Sequence, residues 1–341
     1  MPGHRMAGAK TVQLGHGSGG VLTRELIREV FLARFDNPAL APLADSALVE
    51  VGGADVAFTT DAYVVKPLEF PGGDIGTLAV CGTVNDLAVM GARPVALSCA
   101  VIMREGLELE LVERMTQSMQ RAAAGAGVPI VTGDTKVVER TSCDGLFITT
   151  AGLGVFEGAA RPGGAIRDGD AVIVSGTLGD HGTAVLVARE GLKIASSVVS
   201  DCAALNGLVE VLRPFFGGIR IMRDPTRGGL ATALNEFVEG ADAGIVLREG
   251  EVPLSDGVAA ICELLGLDPL YIANEGKLVL VCDAAVAGEI VAAMRAHPLG
   301  ARASAIGTVT RAYPGKVCLE TAVGGLRLVD MLVTDQLPRI C

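Results

Sequence analysis

Four times in the first half of the chain an apolar run meets an aspartate. Asp45 precedes Ser46-Ala47-Leu48-Val49, and Asp61 follows Val56-Ala57-Phe58-Thr59-Thr60. Asn85-Asp86 lies between Leu78-Ala79-Val80-Cys81 and Leu87-Ala88-Val89-Met90, and Asp134 follows Val128-Pro129-Ile130-Val131-Thr132-Gly133. Short apolar runs of this kind read as strands, so these positions predict acids where buried strands surface. Taken singly, each reads as a solvated cap or turn. Together they are placed to converge, and converging like charges need cations. Magnesium fits, because it takes carboxylate oxygens together with waters and phosphate oxygens.

The chain has 341 residues, enough for one large or two ordinary domains. Half of it is hydrophobic, yet only 4% is aromatic and Trp is absent. Ala, Val, Leu and Gly must do the packing, which points to tightly packed layers of an α/β (α+β) fold. Residues 157–170, rich in Gly, Pro and Arg, read as a linker. The expected organisation is a first domain over 1–156, a second over 157–332, and a tail over 333–341. A net charge of −11 argues against a nucleic-acid partner. No membrane span and no signal peptide are expected, and a cytoplasmic protein follows. No two of the eight cysteines form C-x-x-C. Most sit in apolar runs as small core residues. Cys341 stands outside any such run and is expected to be a free thiol.

Further along the chain, Gly15-His16-Gly17-Ser18-Gly19-Gly20 precedes a predicted helix over Val21–Phe35. A glycine-rich turn opening a helix is an anion site where its N–H groups are free. The spacing also satisfies G-x-G-x-x-G, but no second strand ending in an acid follows, so a dinucleotide fold is disfavoured. A helix is predicted over Glu105–Ala126 and a strand over Val128–Val131. The strand enters a loop that carries Gly133, Asp134, Thr135 and Lys136. In the second half, Arg223-Asp224-Pro225-Thr226-Arg227-Gly228-Gly229 is a turn feeding a helix over Leu230–Val238. Glu275 sits beside a glycine between apolar stretches, so it is either paired or held at a raised pKa.

Thr59-Thr60-Asp61, Asn85-Asp86 with Met90-Gly91-Ala92, Gly133-Asp134-Thr135-Lys136, and Asp224 to Gly229 together resemble the PurM superfamily of ATP-dependent enzymes. Within it, the chain is similar to the HypE family of carbamoyl dehydratases, which serve NiFe-hydrogenase maturation. The residues that carry this likeness are His16 to Gly20, Phe70 to Gly76, Gly133 to Val138, Gly176 to Gly182, Ala273 to Lys277, and the ending Pro338-Arg339-Ile340-Cys341. One departure stands out. Many members carry paired acids, Gly-Asp-Asp-Ala, where this chain has Ala44-Asp45-Ser46-Ala47.

The resemblance implies two α/β domains, a homodimer formed through the first domain, and ATP bound near that interface. No Walker A lysine motif is present, so phosphates would be held by glycine-loop amides and metal. The implied nucleotide contacts are Gly17, Ser18, Gly19, Asn85, Gly133, Asp134 and Thr135, and Asp45, Asp61, Asp86 and Asp224 would hold Mg2+. The implied reaction starts with a carbamoyl group delivered to Cys341 by the carbamoyltransferase HypF. That group is dehydrated to an S-cyanide at the expense of ATP and passed on to iron held by a HypC–HypD complex. The nine-residue tail reaches at most roughly 30 Å. Glu275 and Lys136 are the expected proton acceptors, Lys136 only where burial or cationic neighbours lower its pKa. Two other readings stay open: a PurM-type kinase or synthetase acting on a free small molecule, and a nucleotide-binding scaffold.

Overall fold

The computed structural model describes residues 11–158, 160–190 and 197–333. Within them the chain begins with a 3-10 turn (Leu14–Gly17) and helix α1 (Val21–Leu26). A π-helical stretch (Ile27–Leu32) and a last short turn (Ala33–Phe35) continue the helix.

The first domain is a five-stranded sheet, built from β1 (Ala47–Val51), β2 (Ala54–Tyr63), β3 (Arg93–Arg104), β4 (Ile130–Val138) and β5 (Leu146–Val155). The order is β1-β2-β5-β3-β4, antiparallel except for the parallel pair β3 and β4. Helices α2 (Ile75–Val89) and α3 (Leu109–Ala126) pack against one another and supply the core on one face. Strand β2 alternates: Ala57, Thr59 and Tyr63 are buried and Asp61 partly so, while Phe58, Thr60 and Ala62 are exposed. The pleat therefore aims Thr59, Asp61 and Tyr63 at the helix side of the sheet.

Helix α2 corrects the reading of acids at strand ends. Its apolar residues go all the way round, because the first domain packs on one side and the second domain on the other. A short apolar run cannot by itself separate a buried helix from a strand. Asp74 caps α2, accepting the Thr77 N–H at 2.8 Å. Asp86 thus belongs to a helix and Asp61 to the interior of a strand. Helix α3 starts at Leu109, four residues later than predicted, because Gly106 takes a left-handed backbone conformation (φ +81°). The stretch around Asp134 and Lys136 is strand β4 where a loop was predicted, since its backbone pairs with β3. It is an edge strand exposed along almost its whole length.

The second domain is a seven-stranded sheet in the order β12-β11-β8-β10-β6-β9-β7. Its strands are β6 (Ala171–Val174), β7 (Ile219–Arg223), β8 (Gly244–Arg248), β9 (Val279–Cys282), β10 (Ser304–Thr310), β11 (Val317–Glu320) and β12 (Leu326–Leu328). Only β8 and β11 pair in parallel. Helices α4 (Asp180–Glu190), α5 (Asn206–Leu212), α6 (Gly229–Val238), α7 (Asp256–Leu265) and α8 (Ala284–Arg295) complete it. One face of the sheet packs on α6, and the other packs on α5 and α8. No helix among the described residues is long and apolar enough to cross a membrane. The seven described cysteines are free.

Candidate active site

Three carboxylates from three separate places converge. Asp45 precedes β1, Asp86 is on α2, and Asp224 follows β7 in the second domain. Each offers an oxygen within 4.8 Å of the others. They line a cavity of about 350 Å³ together with Asp61, Tyr63, Arg223, Arg227 and Glu275. Local bonds explain the convergence. The Thr59 hydroxyl lies 2.7 Å from Asp86 Oδ2 and 3.0 Å from the Asp45 carbonyl oxygen. The buried Ser46 hydroxyl donates to the Asp86 carbonyl oxygen at 3.0 Å. At Ser46 the chain thus uses a hydroxyl to tie the Asp45 turn onto α2.

Burial raises all four acids above the usual carboxylate range. Asp45 is pushed up to about 6, with Arg223 pulling the other way. Asp224 is pushed up to about 8 by burial and then by Asp45. Asp86 is raised well above its ordinary value by burial and by Asp61, Asp224 and Asp45, and Asp61 is raised by burial against Arg227. Arg223 offsets part of this charge, at 3.0 Å from Asp45 and paired with Glu236 of α6. Sequence reading passed over Arg223 and Glu236. They belong to an ordinary strand end and a helix face, and only the packing of α6 against β7 joins them. Asp61 lines the same cavity, but its Oδ2 accepts the Tyr63 hydroxyl at 2.9 Å and it stands outside the close cluster of three. Asp134 lies elsewhere, exposed on β4.

Glu275 is 2% exposed, and its Oε1 has no hydrogen-bond partner among the described residues. Burial, then Asp224, Asp201 and Asp61, raise its pKa well above the ordinary value, and Arg227 opposes them. Neighbouring Asn274 ties three loops together. Its N–H and its side-chain amide donate to the Pro225 carbonyl oxygen at 3.1 and 3.0 Å, and its Oδ1 accepts the Gly179 N–H at 2.8 Å.

The remaining expected site residues are spread more widely. The Asn85 amide is buried and donates to the carbonyl oxygens of Ala203 (3.1 Å) and Glu275 (3.2 Å), while its Oδ1 accepts the Leu205 N–H (2.7 Å). Both amide hydrogens are engaged within the protein, so the side chain braces the site from behind. Lys136 is 68% exposed and stands 3.4 Å from Asp134 on β4. It does not line the acidic cavity, so a single chain does not bring Lys136 and Glu275 together. Gly133, Asp134 and Thr135 share that edge strand, where the Thr135 N–H bonds Asp134 Oδ1 at 2.8 Å.

The glycine turn differs from the free-amide reading. The Gly19 N–H donates to Thr23 Oγ1 at 2.9 Å, and the Val21 and Leu22 N–H groups donate to the carbonyl oxygens of Leu332 (2.9 Å) and Val333 (3.3 Å). Ser18 Oγ bonds the Gly15 carbonyl oxygen at 2.9 Å, and Gly17 lies in open space. Gly19, with φ +84°, lets the turn press on Arg227, and a Cβ there would lie 2.7 Å from Arg227 Cβ. The turn thereby packs against the acidic cavity and holds residues 332 and 333 beside it. Cys341 lies outside the described residues.

Two family profiles match the chain: the AIR synthase related protein N-terminal domain over residues 43–156 and its C-terminal domain over residues 167–317. A carbamoyl dehydratase HypE from Rhodobacter capsulatus is 54% identical over 334 residues, 97% of this chain and 98% of that protein. A crystal structure of the hydrogenase maturation protein HypE in complex with ATP matches with a TM-score of 0.81 at 49% identity, covering 97% of this chain and all of that one. A HypE–HypF complex contains a chain that matches with a TM-score of 0.86 at 44% identity, covering 90% of this chain and 99% of that one. With both domains matched in order and identity near one half along almost the whole length, the chain belongs to the HypE family of carbamoyl dehydratases, a branch of the PurM-like fold.

Proposed function

We propose that the protein dehydrates an S-carboxamide carried on Cys341 to an S-cyanide at the expense of ATP. The observation that carries this reading is the joining of the Asp45–Asp86–Asp224 cluster and buried Glu275 in one cavity. The relatives named carbamoyl dehydratase and the ATP complex of a HypE support it.

The chemistry accounts for the parts. A carboxamide oxygen leaves poorly as hydroxide and readily as phosphate. Transfer of the γ-phosphoryl group of ATP to that oxygen yields ADP and an O-phosphorylated imidate, with loss of one N–H proton. Loss of the second N–H proton with departure of phosphate breaks the C–O bond and leaves the S-bound nitrile. Glu275, buried and with Oε1 free of partners among the described residues, would take a proton from the amide nitrogen. Arg227 lines the same cavity, where its positive charge would offset the negative charge of the phosphoryl transfer.

The acids fit a hard divalent cation: three raised carboxylates in contact range offer an all-oxygen donor set. Asp45, Asp86 and Asp224, with Asp61 beside them, would hold Mg2+. Bound there, it would clamp the phosphates of ATP and offset the charge of the transfer.

Val333 is held against α1, whose leading turn touches Arg227 of the cavity wall. Cys341 is the eighth residue after Val333, a reach of at most roughly 26–29 Å. A tail of that reach, anchored beside the turn that packs on Arg227, supports delivery of the thiol to the cavity. The outer face of the first sheet supports a homodimer. Phe58 and Leu153 are each 43% exposed there, and Val131 and Val137 stand out on the unpaired edge strand. In that assembly Lys136 would serve the site of the partner copy together with Glu275. HypF as the carbamoyl donor, HypC–HypD as the acceptor and a cytoplasmic setting complete the reading, and the HypE–HypF complex supports the first of these.

Intact-mass measurement after incubation with ATP, magnesium and a carbamoyl donor tests it. The expected product carries one cyano group in place of one hydrogen, and Cys341→Ala carries none. A cyano group formed on Cys341→Ala would overturn the carrier assignment. ATP turnover that depends on a free small molecule and ignores Cys341 would favour a PurM-type kinase or synthetase.

A further inference from the structure

Glu275 is held in place by a residue that no motif singles out. Asp201 lies in the stretch between α4 and α5, and its side chain is only 4% exposed. Its Oδ1 accepts the Glu275 N–H at 3.2 Å, and its Oδ2 accepts the Gly276 N–H at 3.2 Å. Lys277 closes the third side, with its Nζ 3.1 Å from Oδ2. Asp201 thus spends its carboxylate on the backbone N–H groups of two consecutive residues, Glu275 and Gly276, and on the side chain of the next, Lys277.

The fit is tight. A Cβ on Gly276 would lie 1.8 Å from the Asp201 carbonyl oxygen, so only glycine lets the two backbones approach this closely. The Lys277 stem packs at Gly176 in the same way: a Cβ there would lie 2.9 Å from Lys277 Cε. On the other side of the turn, the Ala203 N–H and the Asn85 amide converge on the Glu275 carbonyl oxygen at 3.4 and 3.2 Å. Both backbone polar groups of Glu275 are therefore taken up by the 201–205 stretch and α2. Its carboxyl is left to the cavity.

We propose that Asp201, neutralised by Lys277, is the positioning residue that fixes the Glu275 backbone so that its carboxylate meets the reacting amide. This rests on Glu275 acting as the base. Asp201 touches no reacting atom and acts only through the turn. Asp201→Asn keeps the shape but has one acceptor oxygen for three donors, and it sets an NH2 group against one of them.

The test is the rate of ATP-dependent dehydration on the full chain, first carbamoylated at Cys341, for Asp201→Asn, Glu275→Gln and the double variant. Asp201→Asn should slow the step about 10- to 100-fold, the cost of misplacing a reacting group by about 1 Å, with the KM for ATP unchanged. In the Glu275→Gln background the same substitution should cost nothing further, because residues acting as one unit are not additive. A wild-type rate in Glu275→Gln overturns the base assignment and the brace with it. A slow Glu275→Gln beside a wild-type Asp201→Asn overturns the brace alone. So does a loss that multiplies in the double variant, or one confined to the KM for ATP. Should Asp201→Asn fail to fold, Lys277→Met reads the same coupling. A slower step that vanishes in the Glu275→Gln background supports the brace, and an unchanged or fully additive one overturns it.

Discussion

The amide of Asn85, on the central helix of the first domain, donates to the carbonyl oxygen of Glu275 in the second domain at 3.2 Å. This bond crosses from the half of the molecule that carries Asp86 to the half that carries Asp224. Adjacent residues of one helix therefore face both parts of the site: Asp86 meets the acids, and Asn85 holds the turn that carries Glu275. The two domains assemble the cavity jointly, and neither domain alone contains it.

Asn85→Ala should weaken the fold while leaving the cavity lining intact. It strips the side-chain partners from the Ala203 carbonyl oxygen and the Leu205 N–H. The expected cost is about 1–3 kcal/mol for each buried group left unpaired. Urea unfolding measures it, and a change below about 0.5 kcal/mol, the size of an ordinary surface substitution, would show that the bridge carries no weight.

Stability should depend on pH in the direction opposite to acid unfolding. Asp45 at about 6 and Asp224 at about 8 are raised above the ordinary 3.8. Between those limits the metal-free folded state binds more protons than the unfolded chain, so stability falls as pH rises from about 4 to about 8. Magnesium bound at the proposed site would take the place of those protons, and its stabilisation should be larger near pH 8 than near pH 5.5, roughly the two sides of the window. Thermal unfolding with EDTA and with magnesium at both pH values checks this. An equal increment at both would contradict it.

Asp86→Asn should separate stability from activity. The amide keeps the shape that meets Thr59, and because it cannot ionise it removes the cost of keeping a carboxyl protonated where burial and three neighbouring acids raise its pKa. Metal-free stability above neutral pH is expected to rise by on the order of 1 kcal/mol. Magnesium-dependent dehydration should fall by about 10²-fold or more, as for other losses of electrostatic preorganisation. A variant both less stable without metal and fully active would refute the metal role.

Val131→Asp places a charge on a residue 63% exposed on the edge strand of the first sheet. Sedimentation analysis is expected to show dimers for the parent chain and monomers for this variant. A parent that sediments as a monomer at micromolar concentration ends the homodimer reading.

Mixed dimers test whether Lys136 acts across subunits. Lys136→Ala and Glu275→Gln should each be slow alone. Unfolding and refolding the two together forms heterodimers in which one site keeps both groups, so dehydration should partly return. No recovery, with heterodimers present by native mass measurement, would place the two residues in the same chain or take Lys136 out of the step.

Much of the architecture was legible because it rests on local chemistry. The strands β2, β6 and β9 follow from short apolar runs, and the helices α3 and α6 from side-chain periodicity, whereas the burial of Thr59 and exposure of Phe58 on β2 do not. The misread stretches are those where tertiary context replaces local pattern. Residues 75–89 are apolar all round because two domains enclose them, and residues 132–138 are a strand because β3 pairs with them. The amides at Gly19, Val21 and Leu22 read as open, but Thr23, Leu332 and Val333 occupy them, and only the last two partners are distant in sequence.

From the sequence by itself came an acidic, aromatic-poor α/β chain in two domains, a set of aspartates at apolar boundaries, a carboxylate at Glu275 beside a glycine, and the family likeness. Tertiary structure decided which aspartates meet. Asp45, Asp86 and Asp224 come within 4.8 Å while Asp134 does not, and Arg223, Asn85 and Asp201 take their places around them. The physical reason is that burial and like-charge proximity set the state of these groups. Both are properties of distances between segments from 41 to 190 residues apart, which no local pattern of side chains encodes.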